Sequence, residues 1–322
     1  MRPSTNIVVS KCSAYDYINN SVPNLEKMTI KYYETFSITS RFTGYISNIT
    51  IGQFYNFLST TASNPTAILG GLNSTTREEM SKEISESSSS GGNNSSSGGS
   101  GGGSGGNSSS GSSTTNSDQS SSSSPDAIIN PEDLTAGASS VAGNRGTENI
   151  GIAVFKRDRL CGELTAVETI CHLLLVNDID SFIISIDNPI SEDTKMELQL
   201  VPSKKTKINV DIKDDAPRIS INLSVDADIM TLENNVNYQS TETLEKVSTA
   251  AKEYMKKQFD NYLNKVCKEY GVDIDDLYTQ ALSHFATIPE WESFNWSEKI
   301  QNAEFDVNID VNVISSLLIT ET

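Results

Sequence analysis

The sequence is short of the residues that most often carry catalysis and metal binding. Among its 322 residues there are two histidines, and the four cysteines (Cys12, Cys161, Cys171 and Cys267) include no C-x-x-C pair. They are too few and too scattered for a disulfide framework, so we expect buried free thiols. No apolar run approaches the roughly 20 residues that span a bilayer.

Basic residues are also scarce, with 24 Lys and Arg against 42 Asp and Glu and a formal net charge of −18. Nucleic-acid binding needs clustered basic side chains that release counterions from phosphates. The densest basic stretch, Lys204, Lys205 and Lys207, falls in a predicted strand, where solvated charge is ordinary. We therefore expect no nucleic-acid partner.

Serine, glycine and asparagine dominate the middle of the chain. Such a composition buries too little apolar surface to offset chain entropy. We therefore divide the chain into residues 1–84, a disordered linker or inserted loop at 85–146, and a C-terminal domain at 147–322. Two G-x-S-x-G matches, at 98–102 and 102–106, have no strand or helix around them and are compositional coincidences.

The N-terminal segment contains a few short periodic stretches. Residues 7–9 have the pattern of a buried strand, and helical spacing predicts helices at 14–18, 25–42 and 51–58. These stretches predict a small, partial α/β domain.

The C-terminal segment is strongly patterned. Strands are predicted at 150–155, 159–164, 182–186, 196–201, 208–212, 219–225 and 305–313. Thr165 and Glu168 form a capping box at the start of one helix. A long helix is predicted from about Thr241 to Tyr270, and shorter ones around 277–285 and 291–300. Strands in a run, then helices, then a returning strand predict the α+β class, with a mixed, largely antiparallel sheet packed against the long helix.

Candidate catalytic residues are few. His172 and His284 each lie in a predicted amphipathic helix, where a hydrogen-bonded structural histidine is the ordinary interpretation. Cys171 points about 100° away from its neighbour His172, so the two cannot share a metal. A hydrolase would need at least two of Glu168, His172 and His284 to converge with a third polar group in one cleft.

One acidic stretch, Asp273 to Asp276, superficially resembles a calcium loop, but Leu277 and Tyr278 replace the third ligand and the glycine. A helix N-terminus that favours negative charge explains these carboxylates more simply. We therefore assign no catalytic, cofactor-binding or metal-binding residues, and we expect no cofactor.

Residues 150–164, IGIAVFKRDRLCGEL, followed by Glu168 and Thr169, resemble a motif of the Ger(x)C (GerAC-like) family of spore germination lipoproteins, G-[LI]-A-V-F-K-x-D-[KR]-L-x-G-x-L…E-[ET]. The lysine-rich stretch from Ser203 with the turn at 214–217 resembles the family's S-K-T-K-I…D-G-x-P hairpin. Trp291 to Trp296 and the alternating terminal strand resemble its W…W…V-x-V-x-V ending. Coverage runs from about residue 150 to 313, and residues 1–58 also resemble the family.

The resemblance implies a non-catalytic C subunit of a nutrient germinant receptor. It implies a lipid-anchored protein on the outer face of the inner spore membrane, beside integral-membrane A and B subunits. Family members begin with an export signal and a lipobox cysteine; Cys12 lacks the apolar region that precedes one, so we expect this sequence to lack the anchor. The alternative function is a soluble module that binds a small molecule between two domains.

Overall fold

A computed structural model describes residues 5–20, 36–89, 131–138, 146–191, 193–230 and 240–314. Its strands are β1 Val8–Ser10, β2 Thr66–Leu72, β3 Thr147–Lys156, β4 Arg159–Leu164, β5 Phe182–Asp187, β6 Lys195–Pro202, β7 Lys207–Lys213, β8 Ala216–Ile229 and β9 Glu304–Ile314. Its α-helices are α1 Ala14–Asn20, α2 Phe36–Thr43, α3 Ile51–Ser59, α4 Ser74–Ser89, α5 Ala166–Leu175, α6 Thr241–Leu263, α7 Tyr278–Ala281, α8 Ile288–Phe294 and α9 Trp296–Lys299.

The first sheet has the order β1-β2-β3-β4, with β1 parallel to β2 and the other pairs antiparallel. β1 and β2 precede the serine- and glycine-rich tract, whereas β3 and β4 follow it. All seven residues of β2 are buried. The sheet therefore draws strands from both sides of the tract, and the division at 1–84, 85–146 and 147–322 stays a prediction about the sequence.

A short piece of the predicted linker, residues 131–138, lies among the described residues. Pro131–Asp133 forms a 3₁₀ turn, and Ala136 is buried. The N–H of Ala136 donates to the Ile150 carbonyl at 3.0 Å, and the N–H of Ala166 donates to the Leu134 carbonyl at 2.8 Å. These backbone hydrogen bonds attach residues 131–138 to β3 and to the start of α5. The segment is therefore held by contacts with other parts of the fold and not by contacts among its own residues.

The second sheet has the order β5-β6-β8-β7, and β9 pairs with β8 in parallel. β7 and β8 form the predicted antiparallel hairpin. Its turn places Asp214 and Asp215 in the left-handed region, at φ 52° and 63°, which aspartate tolerates better than most residues. The expected alternation in β9 is confirmed, with Val307, Ile309 and Val311 buried.

The long helix α6 packs against the second sheet. Ser240 caps it by accepting a hydrogen bond from the N–H of Thr243 at 3.1 Å. After Leu263 the helix continues as a π-helical turn, Asn264–Tyr270, and ends at Gly271 in the left-handed conformation. Phe259 is 1% exposed within the main core. The predicted α+β class, with a mixed, largely antiparallel sheet against a long helix, is confirmed.

Several predicted element boundaries differ from the structure. The predicted helix at 25–42 is observed as α2, and its residues 25–35 lie outside the described ranges. The helix predicted around 291–300 is broken at Asn295, whose left-handed backbone (φ 52°) separates α8 from α9. Lys204 and Lys205 lie in the loop before β7 rather than in a strand. In the part of the chain that the structure describes, no helix is both long and apolar enough to cross a membrane.

Candidate functional site

The candidate site is a cluster of buried polar side chains under the loop that follows α6. After Gly271 the chain runs beneath the surface to Leu277, just before α7. Two carboxylates of this loop, Asp273 and Asp275, are 1% and 5% exposed. Aspartate is almost never fully buried unless it is paired. The loop therefore departs from ordinary core composition.

Asp273 holds the loop, the start of α7 and α9 together. Its Oδ1 accepts hydrogen bonds from the backbone N–H groups of Asp275 (3.2 Å) and Leu277 (3.1 Å). Its Oδ2 accepts from the N–H of Tyr278 at 2.9 Å and from the indole Nε1 of Trp296 at 3.0 Å. Backbone donors at a helix start have no partner within the helix, so this carboxylate caps α7 as the sequence predicts.

Asn64 attaches the N-terminal part of the chain to the same loop. Its N–H donates to the Asp273 carbonyl at 2.8 Å, and its Oδ1 accepts from the Asp273 N–H at 3.1 Å. Nearby, the Ser297 hydroxyl donates to the Thr61 carbonyl at 2.9 Å. The Asn64–Asp273 and Thr61–Ser297 pairs are separated by 209 and 236 residues in sequence, so the cluster joins distant parts of the chain.

Asp275 has a different set of partners. Its Oδ1 lies 2.7 Å from Nδ1 of His172, and the Tyr262 hydroxyl donates to both of its oxygens at 2.8 Å. The side chains of His172 and Asp275 are 4% and 0% exposed, and Tyr262 is fully buried. An acid, an imidazole and a hydroxyl are the components of a catalytic relay, but a nucleophile must reach its substrate. In this closed position the three groups tie α5, α6 and the loop together.

Burial also sets the electrostatics of the cluster. Desolvation, and then the neighbouring Asp275, raise the pKa of Asp273 to about 7, although hydrogen bonds from Tyr278, Leu277 and Trp296 oppose the shift. Burial raises the pKa of the Tyr262 hydroxyl well above its ordinary value, and it does the same for the thiols of Cys171 and Cys267. These thiols remain protonated at neutral pH and are poor nucleophiles.

Glu168 is occupied by structural bonds. Its Oε2 accepts from the N–H of Thr165 at 2.8 Å, which completes the predicted capping box of α5. Both of its oxygens accept from the Lys265 ammonium, at 2.7 and 2.9 Å. The carboxylate is therefore held against the π-helical turn that follows α6.

The residues of the hydrolase hypothesis do not converge. Glu168 binds Lys265, and His172 binds Asp275. Nε2 of His284 lies 2.7 Å from the carbonyl of Val210 in β7. Each of the three has a partner of its own, so these three side chains do not meet around one point.

A groove of about 790 Å³ lies next to the cluster, a volume typical of ligand sites. Its walls come from the loop at 60–64, from the β3–β4 turn with Lys156 and Arg157, and from the segment 291–301. Trp296, which is bonded to Asp273, is part of its lining. The groove thus sits at the junction of the N-terminal and C-terminal parts of the chain.

The cysteines meet the expectation in part. Cys171 and Cys267 are buried free thiols, but Cys161 is exposed and Cys12 is half-buried. Cys161 is the third residue of β4, which is an edge strand. The first three residues of β4 are exposed, so the Cys161 side chain is not buried. Within the described ranges, no three His, Cys, Asp or Glu side chains are grouped so that they could hold a metal ion.

Sequence patterns could not predict that Asp275 contacts His172 and Tyr262. The sequence suggests one role for the whole stretch 273–276, the helix N-terminus, and only Asp273 fulfils it. His172 and Asp275 are 103 residues apart. The available signal was a histidine that follows Ile170 and Cys171 and precedes three leucines, because a buried imidazole needs a polar partner from elsewhere.

The fold is α+β, and in the described part of the chain its buried polar cluster joins α5, α6 and the loop after Gly271. Residues 150–316 match the family described as Spore germination B3/GerAC like, C-terminal, and since they make up just over half of the chain, the chain belongs to this family. The resemblance of residues 150–164 is thereby confirmed. The family is one of germinant receptor C subunits, and the chain acts in that role in spore germination.

The fold is similar to that of a solved protein of the same kind. The crystal structure of the GerBC protein aligns with a TM-score of 0.58 and 14% sequence identity, over 97% of this chain and 70% of the GerBC chain. At this identity the likeness concerns the fold. No curated protein matches the chain in sequence.

Proposed function

We propose that this chain is a non-catalytic subunit that acts by contact with the integral-membrane A and B subunits of a germinant receptor. We propose further that it does so at the outer face of the inner spore membrane, held there by a lipid anchor. The observation that supports a role without catalysis is the Asp275 cluster: its acid, imidazole and hydroxyl bind one another and are closed to solvent. Family membership supports a place in a receptor complex.

Deletion of the gene in its spore former tests the receptor role. Spores of the deletion strain should germinate poorly with at least one nutrient, and the complete gene in trans should restore the response. The C subunit should also co-purify with the A and B subunits from inner spore membranes. Normal germination of the deletion strain with every nutrient would contradict the proposal.

Conservative histidine variants test the absence of catalysis. His284→Gln keeps a side-chain donor for the Val210 carbonyl, and His172→Asn keeps a donor near Asp275. Spores that carry each variant at wild-type protein level should germinate at the wild-type rate. A loss of germination at unchanged protein level would support the hydrolase alternative.

The groove favours one second candidate, the binding of a small molecule. Its wall combines the rings of Trp291 and Trp296 with the charged groups of Arg157 and Glu298, which is the mixture of apolar surface and few polar groups that ligand sites present. A nutrient that binds there should raise the melting temperature of the wild-type protein. The shift should be absent in Arg157→Ala and retained in Arg159→Ala, a variant of an exposed arginine that does not line the groove.

A further inference from the structure

The loop between β6 and β7, residues 203–206, is fixed against the end of α5. The side-chain oxygen of Asn177 accepts from the N–H of Thr206 at 2.7 Å, and the Thr206 hydroxyl donates to a carbonyl in the last turn of α5, also at 2.7 Å. A hollow of about 290 Å³ lies between the two segments, and Lys204 and Lys205 belong to its lining. The fold therefore holds these two lysines in a set position beside the hollow.

The helix α2 lies at the same end of the second sheet. The Arg41 carbonyl accepts from the N–H groups of Asp180 and Ser181, at 2.7 and 3.1 Å, and these two residues directly precede β5. The end of α2, the α5–β5 connection and the β6–β7 loop are therefore neighbours. We call this region the lysine end; it comprises residues 38–42, 174–181 and 201–207.

Positive charge predominates at the lysine end, although the chain as a whole carries a formal net charge of −18. Its exposed lysines are Lys204, Lys205 and Lys207. None of the three forms an ion pair with another described residue, whereas Arg41 is paired with Asp180 at 3.0 Å. Within residues 174–181 and 201–207, Asp178 is the one carboxylate outside an ion pair. The region therefore differs in sign from most of the molecule.

The lysines are not needed to complete the helix beside them. The carbonyl end of a helix attracts cations, because its last carbonyls have no partner within the helix. At the end of α5 those carbonyls have other donors: the Leu174 carbonyl accepts from the Thr206 hydroxyl at 2.7 Å, and the Leu175 carbonyl accepts from the Asn177 side chain at 3.3 Å. The ammonium groups are therefore available to a ligand.

Exposed apolar side chains accompany these lysines. Ile38 and Phe42 are 60% and 58% exposed, and their spacing of four places them on one face of α2. Val176, at the end of α5, is 36% exposed. Single exposed apolar residues are ordinary on a protein surface. Their combination with unpaired lysines is the composition of segments that lie in the interface of an anionic membrane.

We propose that the lysine end docks on the surface of a bilayer that contains anionic phospholipids. Lys204, Lys205 and Lys207 contact the phosphates of the headgroups, and Ile38 and Phe42 enter the boundary between headgroups and acyl chains. The acidic remainder of the chain does not prevent this contact, because at physiological ionic strength charges are screened beyond about 8 Å. The inference goes beyond the proposed receptor role and needs no lipid anchor, so vesicle binding can fail while the germination test of that role succeeds.

Flotation of the whole chain with lipid vesicles tests the proposal. In about 0.1 M salt the chain should float with vesicles of equal parts phosphatidylglycerol and phosphatidylcholine, and salt at about 1 M should release it by screening. It should not float with phosphatidylcholine alone. The triple variant Lys204→Gln, Lys205→Gln and Lys207→Gln should bind at least about tenfold more weakly. The control Lys252→Gln, Lys256→Gln and Lys257→Gln removes the same charge from the exposed face of α6 and should float as the wild type does.

A second pair of variants tests the apolar contact. Ile38→Ala with Phe42→Ala should weaken binding to the anionic vesicles at an unchanged melting temperature, whereas Ile288→Ala, which changes a side chain that is 73% exposed on α8, should not. The proposal is overturned if the wild-type chain does not float with the anionic vesicles, or if the α6 control loses as much binding as the lysine variant. Unchanged flotation of the Ile38 and Phe42 variant would also overturn it. A melting temperature raised by inorganic phosphate, without flotation, would assign the lysines to a soluble anion instead.

Discussion

The hydroxyl of Tyr262 donates to both carboxylate oxygens of Asp275, at 2.8 Å each, in a position closed to solvent. Tyr262 lies on the last turn of α6, and Asp275 lies in the loop that leaves the π-helical turn. Burial of a carboxylate without hydrogen-bond donors would destabilise the folded protein. The Tyr262 hydroxyl and the His172 ring therefore offset the desolvation free energy of Asp275.

Removal of the Tyr262 hydroxyl should destabilise the protein. Tyr262→Phe leaves the Asp275 carboxylate buried with His172 as its remaining side-chain partner, and we expect a loss of roughly 1.5–3 kcal/mol in urea unfolding. The matched control is Tyr270→Phe, because the Tyr270 hydroxyl is 3.4 Å from the Glu163 carbonyl and only half-buried, so its loss should stay below about 0.5 kcal/mol. Equal losses in the two variants would contradict the role given to Asp275.

Stability should depend on pH through Asp273. Its pKa is about 7 in the folded protein against 3.8 for an ordinary aspartate, so the folded chain binds more protons between these values. The contribution of this group to stability therefore falls as the pH rises from about 4 to about 7 and is constant above that range, at most about 1.4 kcal/mol per pH unit.

The variant Asp273→Asn isolates that contribution. It does not titrate, so the difference in unfolding free energy between wild type and variant should change across this window and be flat above it. Asparagine offers one oxygen to the four donors, so the variant should also be less stable than the wild type at acidic pH. A difference that is independent of pH from 4 to 8 would show that Asp273 titrates normally.

Phe259 should be a main contributor to the core between α6 and the second sheet. Phe259→Ala removes a ring that is 1% exposed and should cost roughly 3–5 kcal/mol of unfolding free energy. Phe42→Ala serves as the comparison, because that ring is 58% exposed and its loss should change stability by less than about 1 kcal/mol. A cost below about 1 kcal/mol for Phe259 would place it outside the core.

The thiols should differ in reactivity. Burial raises the pKa of Cys171 and Cys267 well above the ordinary value, whereas Cys161 is exposed with a smaller increase, also from desolvation. A maleimide reagent at neutral pH should therefore label Cys161 and, more slowly, Cys12 in the native protein, and all four cysteines only in denaturant. Removal of Cys161 by substitution with serine should abolish the faster phase. Labelling of Cys267 in the native protein would show that its pocket opens.

The elements that sequence patterns predict well are those whose signal is local. The Thr165–Glu168 capping box, the β7–β8 turn and the alternation of β9 each lie within a few residues and were confirmed. β2 carried no such signal, because a strand that is buried on both faces does not alternate, and Gly70 and Gly71 argue against a strand.

The contacts of the candidate site depend on the fold. His172 meets Asp275 across 103 residues, and Asn64 meets Asp273 across 209. Helical spacing shows which face of α5 is apolar, but it does not show which loop will cover that face. The break at Asn295 is similar: the residue is compatible with a left-handed backbone, yet nothing local requires it there.

The position of β2 also sets an order of events during synthesis. β2 lies between β1, which is made before it, and β3, which begins at Thr147 after the long tract has been translated. At about 5–20 residues per second, the ribosome needs roughly 4–15 s to translate the chain from Leu72 to Thr147. During that interval the apolar side chains of β2 have no third strand to cover them. We therefore expect nascent chains stalled before Thr147 to bind a holdase chaperone, and chains released after Leu164 to leave it.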